Sequence, residues 1–211
     1  MNIYRSELPP IPECMKSLPV ERGYPVPWFA PFVDGHWEFR MGDAPKLTEA
    51  IKNKRCWICG QRLGKFFAFT IGPMCSINRI SAEPPEHLEC AEFSAIACPF
   101  LTGKEMERRE GGLPKAEPEV GFMIRRNPGC CVVWETTRYE LLKIPNGVLF
   151  RIGNPSSIKW FAKGRKATRA EVMESINSGY PILLEQALAD GPDAVAELQR
   201  MRETAAKLIP A

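Results

Sequence analysis

The sequence has little net charge, few histidines and no long hydrophobic run. The 28 lysines and arginines outnumber the 25 acidic residues by only three, and His36 and His87 are the two histidines. The longest apolar stretches, such as residues 66–69 and 181–184, are far shorter than the roughly 20 residues that a helix needs to span a bilayer. We therefore expect no membrane-spanning helix, and the charge excess does not by itself indicate a polyanionic partner.

Motifs of common enzyme chemistry are also missing. The sequence contains no phosphate-binding loop of the GxxxxGK[ST] type, no GxGxxG, no GxSxG and no HExxH. One histidine, His36, follows an Asp-Gly pair among aromatic residues, which is typical of a turn and not of a catalytic base. These absences favour a binding protein over an enzyme.

Eight cysteines are present, and their context favours metal binding over disulfide formation. The first ten residues, MNIYRSELPP, lack the apolar core of an export signal, so we expect a cytoplasmic protein. Disulfides are rare in that compartment, whereas cysteines that bind metal or remain free are common there.

The strongest motif is the segment Cys56-Trp-Ile-Cys59-Gly60. Two cysteines separated by two residues form a tight turn whose sulfurs face one ion, and the glycine permits the backbone angles that close this turn. His87-Leu-Glu-Cys90 follows at a predicted helix start, where residues three apart lie on one face. Four N and S donors suit tetrahedral zinc, so the sequence predicts one structural Zn²⁺ bound by Cys56, Cys59, His87 and Cys90, with no open position for catalysis.

Other cysteines offer alternatives to this ligand set. In a second set Cys75 replaces His87, since both residue types bind zinc. Cys98 lies two helical turns beyond Cys90, too far to reach the same ion. We predict Cys14, Cys130 and Cys131 to be core or incidental thiols.

The order of these elements resembles a treble-clef zinc finger. Residues 65–74, between the two ligand pairs, are predicted to form a strand and then a turn, and a helix carries the second pair. The resemblance covers residues 56–98 and implies a metal site without implying an activity, because the superfamily includes nucleases, ribosomal proteins, transcription factors and protein-binding modules. No histidine lies in residues 60–86, where a treble-clef nuclease would carry its catalytic histidine.

Short stretches across the chain also resemble small zinc proteins that bacteriophages and prophages encode. These stretches are CWICG, IGPMC, PPEHLECAEF, ACPFL, RRNPG and ATRAEVMESINSG. The resemblance implies an origin in a mobile element and does not imply an activity.

The hydrophobic pattern predicts an α+β protein in four parts. We expect a proline-rich arm and a hairpin at Asp34-Gly35 in residues 1–45, and a treble-clef-like zinc module in 46–101 that begins with a helix capped by Asp43. A linker in 102–119 precedes a small antiparallel sheet packed against C-terminal helices in 120–211.

The last of these parts is predicted from alternating apolar residues and from turn and cap signals. Strands are expected at 121–126, 130–135, 138–144 and 148–152, with a hairpin at Asn146-Gly147. A helix is expected from Asn154-Pro155 to Gly164, and a second one begins at the Thr168–Glu171 capping box and ends at Gly179. Two further helices are predicted at 181–189 and from Pro192.

Basic residues form two clusters that are candidate nucleic-acid contacts. The first cluster surrounds the cysteine turn and consists of Lys52, Lys54, Arg55, Arg62 and Lys65. The second consists of Lys159, Lys163, Arg165, Lys166 and Arg169, with Trp160 and Phe161 among them. Cations neutralise phosphates and aromatic rings stack on bases, but solvated lysines around a buried Trp160 and Phe161 would give the same pattern.

We therefore expect a zinc-stabilised protein that binds nucleic acid or a nucleic-acid-processing complex. The alternative is a protein–protein adaptor or an inhibitor of a host factor, which would use the aromatic residues Trp28, Phe29, Phe32 and Trp37 unless these complete the protein's own core. A metal-dependent nuclease is the third possibility.

Overall fold

The structure, a computed structural model, describes residues 4–103 and 128–210 and shows a mixed α+β fold. The helices of this part are a 3₁₀ turn (Glu13–Met15), α1 (Ala44–Asn53), α2 (Pro73–Asn78), α3 (Leu88–Ala97), α4 (Arg169–Asp190) and α5 (Pro192–Ala206). Its strands are β1 (Val20–Glu21), β2 (Tyr24–Pro25), β3 (Phe32–Val33), β4 (His36–Trp37), β5 (Phe67–Ile71), β6 (Ile80–Ser81), β7 (Cys131–Thr136), β8 (Tyr139–Ile144), β9 (Gly147–Ile152), β10 (Pro155–Ala162) and β11 (Arg165–Lys166).

The N-terminal arm lies against the rest of the protein and contributes to its core. Met15 and Leu18 are 2% and 7% exposed. The predicted hairpin at Asp34-Gly35 is confirmed, with β3 and β4 on either side of the turn. The predicted cap is confirmed as well, because the Asp43 side chain accepts a hydrogen bond from the backbone N–H of Lys46.

A four-stranded antiparallel sheet in the order β11-β10-β7-β5 lies at the centre of the fold. Strand β5, between the two predicted ligand pairs, aligns with β7 in a register that places Phe69 opposite Trp134. Helix α3 packs against β5 and β7. The segment that carries the metal-ligand motifs therefore shares its sheet with the C-terminal half of the chain.

A second sheet and a group of helices complete the architecture. Strands β6, β9 and β8 form the second sheet in that order, and the predicted Asn146-Gly147 hairpin between β8 and β9 is confirmed. Helices α4 and α5 pack against each other, and both contact α2. The expected combination of small antiparallel sheets and C-terminal helices is therefore present.

The helix predicted from Asn154-Pro155 to Gly164 is wrong, because this segment is strand β10. It pairs with β7 over most of its length, from Pro155 opposite Thr136 to Phe161 opposite Cys131. Lys163 and Gly164 have φ angles of 53° and 75°, which suit the tight turn into β11. Pairing with a buried neighbouring strand outweighs the helix-start signal of Asn-Pro.

Two helices also differ from the prediction. Helix α4 continues through Gly179 and Pro181, where the sequence predicts a break between two helices. The turn predicted after β5 is helix α2, which has Pro73 at its first position. The predicted strand at 121–126 and residues 104–119 of the predicted linker lie outside the described residues.

The helices of the described ranges include none that is both long enough and apolar enough to cross a bilayer.

Candidate metal centre

The first ligand pair lies in a tight turn that backbone hydrogen bonds close. The N–H of Cys56 donates to the carbonyl of Gln61 at 2.7 Å, and the N–H of Gly60 donates to the carbonyl of Cys56 at 2.9 Å. Arg55 and Arg62 are opposite each other in an antiparallel bridge. This local network holds Cys56 and Cys59 on one side of the turn, as the CxxCG spacing predicts.

The second pair lies at the start of α3 and faces the first. His87 is the N-cap residue of this helix, and Cys90 lies in its first turn. The backbone N–H groups of His87 and Cys59 both point at the Sγ of Cys56, at 3.3 Å and 3.5 Å. Two amide donors on one sulfur are the environment that stabilises a thiolate.

The imidazole of His87 is oriented by a contact at each ring nitrogen. Its Nδ1 lies 3.3 Å from the Sγ of Cys59, and its Nε2 lies 3.2 Å from the carbonyl oxygen of Arg62. A proton on Nε2 satisfies the carbonyl and leaves the Nδ1 lone pair facing the sulfurs. His87 therefore presents Nδ1 as its ligand atom.

Cys14, which we predict from the sequence to be an incidental thiol, lies at this same site. Its Sγ is 3.3 Å from the Sγ of Cys90 and donates to Oε1 of Glu89 at 3.1 Å. The ligand atoms of Cys14, Cys59, His87 and Cys90 all lie within 4.8 Å of one another. No local spacing marks Cys14, because the contact joins residues 76 positions apart and depends on how the arm packs.

The donor set fits a metal ion such as zinc. Three sulfurs and one imidazole nitrogen within a few ångströms are the ligands that tetrahedral zinc prefers. Cys56 and Cys90 are fully buried, so a cation there would be shielded from water. Within the described ranges Cys75 is not part of this cluster, because it lies on α2. Burial there raises the pKa of its thiol to about 11.

The cysteines of the cluster have pKa values that are shifted in opposite directions. Burial raises the pKa of Cys56, but hydrogen bonds from Cys59, Cys90 and His87 outweigh burial, so its pKa lies far below the usual range. The pKa values of Cys59 and Cys90 are raised, in each case mainly by the hydrogen bond to Cys56. A divalent cation bound by these sulfurs would favour their deprotonation.

The first basic cluster is largely exposed. Lys52, Lys54, Arg62 and Lys65 are exposed, and none of the ion pairs recorded between described residues includes any of them. The fifth member, Arg55, is engaged within the protein: its Nε lies 2.6 Å from Oε1 of Glu49 and its guanidinium donates to the carbonyl of Gly60.

Phe66 adds an apolar surface beside these cations. Its side chain is 50% exposed, and the Nζ of Lys65 lies 5.8 Å from the centre of its ring. Sequence reasoning missed Phe66, because it begins the apolar run of residues 66–69, and its position directly after Lys65 is the signal that could have marked it.

Three of the five cations in the second basic cluster pair with two acidic residues. Lys159 pairs with Glu92 at 2.5 Å, and Arg165 pairs with Glu171 at 2.8 Å. Lys163 lies 3.8 Å from the same Glu171, whose pKa Arg165 lowers to about 2.

Two further members of the second cluster differ in their surroundings. The guanidinium of Arg169 donates to the carbonyl of Pro210, whereas Lys166 is exposed. Trp160 and Phe161 are 6% and 5% exposed, so the reading that places them in the core is the one the structure supports.

The aromatic residues near the N-terminus divide into two groups. Trp28 and Phe29 pack on Trp57 in the cysteine turn, with ring centres 6.3 Å and 5.1 Å away. Phe32 is 60% exposed and contacts Trp37 across the β3–β4 hairpin. The first group therefore completes the protein's own core.

No protein family matches the chain, and no curated protein or solved structure matches it either.

Proposed function

We propose that this protein is a zinc-stabilised nucleic-acid-binding protein whose phosphate-binding surface is the first basic cluster. The observation that carries the proposal is the exposure of Lys52, Lys54, Arg62 and Lys65 around the cysteine turn, without an acidic partner among the described residues. Phosphate groups of a nucleic acid are the polyanion that such a surface neutralises.

In this proposal the zinc ion is structural. The chain supplies at least four sulfur and nitrogen donors, which leaves no coordination position for water or substrate. The ion would hold the cysteine turn against the start of α3 and so keep the cations of the turn in a fixed arrangement. Rigid placement reduces the side-chain and loop entropy that binding would otherwise lose.

Phe66 gives this surface a means to contact bases. A half-exposed ring beside Lys65 can stack on an unpaired base, which is worth roughly 1–3 kcal/mol per base. In a double helix the bases are already stacked, so this contact favours single-stranded nucleic acid. The second basic cluster adds little, because Glu92 and Glu171 compete with phosphates for its cations.

Binding to single-stranded and double-stranded DNA and RNA, measured by fluorescence anisotropy over a range of salt concentrations, tests the proposal. The association constant should fall linearly with salt on a double logarithmic plot. The substitutions Arg62→Glu and Lys65→Glu together should lower the slope by about two and weaken binding to every sequence.

The control is Lys143→Glu combined with Lys207→Glu, which makes the same change in charge at exposed positions outside the cluster. This control should leave the salt slope unchanged. Negligible affinity of the wild-type protein for all four nucleic acids at low salt, or equal losses in both double variants, would refute the proposal.

One observation favours a protein–protein adaptor as the second candidate. The side chain of Phe32, on β3, is 60% exposed and contacts Trp37 on β4, and aromatic residues of this kind are enriched at protein interfaces. Such an adaptor would act on a host factor if the chain is of bacteriophage origin, which the short resemblances suggest. We also propose, from the order of turn, strand and helix alone, that residues 56–98 form a treble-clef zinc finger.

A further inference from the structure

The metal cluster contains five ligand residues, one more than a tetrahedral ion needs. Cys59, His87 and Cys90 belong both to the set predicted from the sequence and to the cluster whose ligand atoms lie within 4.8 Å of one another. Cys14 completes one set of four, and Cys56 completes the other. The two sets differ in the sulfur that takes the fourth position.

The location of Cys14 is set by buried neighbours on the same arm. Met15 and Leu18 are part of the core cluster that also contains Cys56, Cys59 and Cys90. The side-chain amide of Gln61, in the cysteine turn, donates to the backbone carbonyl of Cys14 at 3.3 Å. The arm is thus attached to the turn beside Cys14, which brings its sulfur to 3.3 Å from that of Cys90.

Cys56 and Cys14 differ in the hydrogen bonds that their sulfur atoms form apart from metal binding. The sulfur of Cys56 accepts two backbone N–H groups, from Cys59 and His87, which would satisfy it when no metal is bound to it. The thiol of Cys14 donates a hydrogen bond to Oε1 of Glu89 at 3.1 Å. Each sulfur therefore has a stable environment outside the coordination sphere.

We propose that Cys14 and Cys56 are alternative fourth ligands to one metal ion, which Cys59, His87 and Cys90 bind in both states. When Cys14 replaces Cys56, the thiol of Cys14 gives its proton to water and binds the ion as a thiolate, while Cys56 leaves as a thiolate that accepts the backbone N–H groups of Cys59 and His87. The number of coordinating thiolates stays at three, and the charge of the coordination sphere is unchanged. The inference rests on the metal centre of the proposed function and is independent of nucleic-acid binding.

This exchange couples the N-terminal arm to the metal. In one state the arm is attached to the ion through Cys14, and in the other it is held by the packing of Met15 and Leu18 and by the hydrogen bond from Gln61. The arm would then be held more tightly whenever Cys14 is the ligand.

Cobalt titration of the full chain tests the proposal, because the visible d–d bands of Co²⁺ report tetrahedral geometry and its near-ultraviolet charge-transfer bands report the number of thiolates. Cys14→Ser and Cys56→Ser should each retain one tetrahedral Co²⁺ with three thiolates. Each single substitution should weaken Co²⁺ binding less than about tenfold, and the double substitution more than about a hundredfold. Cys98→Ser, which removes a thiol from the end of the same helix α3, should bind Co²⁺ like the wild type.

A second measurement needs no variant. Bound Co²⁺ should slow alkylation of Cys14 in the wild-type chain, relative to the metal-free chain. An unchanged alkylation rate, or a Cys56→Ser variant that loses Co²⁺ while Cys14→Ser binds it like the wild type, would overturn the proposal. A wild-type chain that takes up neither Co²⁺ nor Zn²⁺ would instead remove the metal centre itself, and nucleic-acid binding would remain to be judged from the salt experiment.

Discussion

At the scale of single residues, Gly60 connects the backbone of the cysteine turn to the packing around it. Its φ angle is 73°, in the region that side chains with a Cβ rarely adopt. A Cβ added there would lie 2.5 Å from Cγ of Trp28, whose ring packs edge-on against Trp57. Gly60 therefore lets the turn close and lets Trp28 cover it.

We predict that Gly60→Ala destabilises the protein by about 1–3 kcal/mol, since it combines an unfavourable φ angle with overpacking against Trp28. Urea denaturation followed by circular dichroism would measure the loss. The matched control is Gly64→Ala, because a Cβ at that position meets nothing within 4 Å. A Gly60→Ala variant as stable as the control would show that Trp28 does not pack on the turn as described.

The residues of the candidate metal centre differ in whether the sequence could predict them. Cys56, Cys59, His87 and Cys90 carry their signal in short spacings, because a turn or the first turn of a helix sets the positions of both members of each pair. Cys14 could not be predicted in this way. Its contact with Cys90 depends on the burial of Met15 and Leu18, which lie on a proline-rich arm without periodicity.

At the scale of helices and strands, local chemistry predicted the ends of elements better than their continuity. The hairpin turns at Asp34-Gly35 and Asn146-Gly147 and the Thr168–Glu171 capping box are local interactions, and all three are present. Strand β10 and the uninterrupted α4 depend on partners distant in sequence. Packing of α4 against α2 and α5 outweighs the propensity penalties of Gly179 and Pro181.

Pro181 provides a test of the continuous helix. It is exposed, so its main effects are the missing N–H and the clash of its ring with the preceding turn. If α4 is one helix, Pro181→Ala should stabilise the protein by about 1–3 kcal/mol, measured by urea denaturation. If instead a second helix began there, proline would occupy a favourable first position and the substitution would be neutral or destabilising.

Asn177 precedes Pro181 by one helical turn, so its carbonyl is the one that lacks its usual N–H partner in the wild-type helix. Substitution of another exposed residue of α4, Glu174→Ala, leaves this backbone hydrogen bond unaffected and serves as the control. Its effect on stability should stay within about 0.5 kcal/mol. A stabilisation specific to Pro181→Ala would therefore come from the restored helix.

At the scale of the whole molecule, the metal ligands and the C-terminal helices belong to one core. Cys56, Cys59 and Cys90 lie in the same buried cluster as Trp134, on β7, and as Leu198, on α5. The pairing of β5 with β7 runs the central sheet through this cluster. A change at the metal centre should therefore alter the stability of both the N-terminal and the C-terminal parts of the chain.

Metal removal tests this coupling. Chelation of a bound ion should lower the free energy of unfolding by several kcal/mol, on the order expected when binding and folding are linked. Because one core joins the centre to the helices, tryptophan fluorescence and far-UV circular dichroism should report a single transition that shifts as a whole. Trp57 lies in the cysteine turn and Trp160 donates a hydrogen bond to the carbonyl of Leu208, so the fluorescence samples both regions.

The control for this experiment is the double variant Cys59→Ser, Cys90→Ser, which lacks two of the ligands that both coordination sets share. Its transition should already lie at the lower stability, and the chelator should not move it further. Two separate transitions in the wild type, of which only one responds to the chelator, would mean that the central sheet does not transmit the stability of the metal centre. In that case the β5–β7 pairing would be a contact between independently folding units, and the helices would survive the loss of the ion.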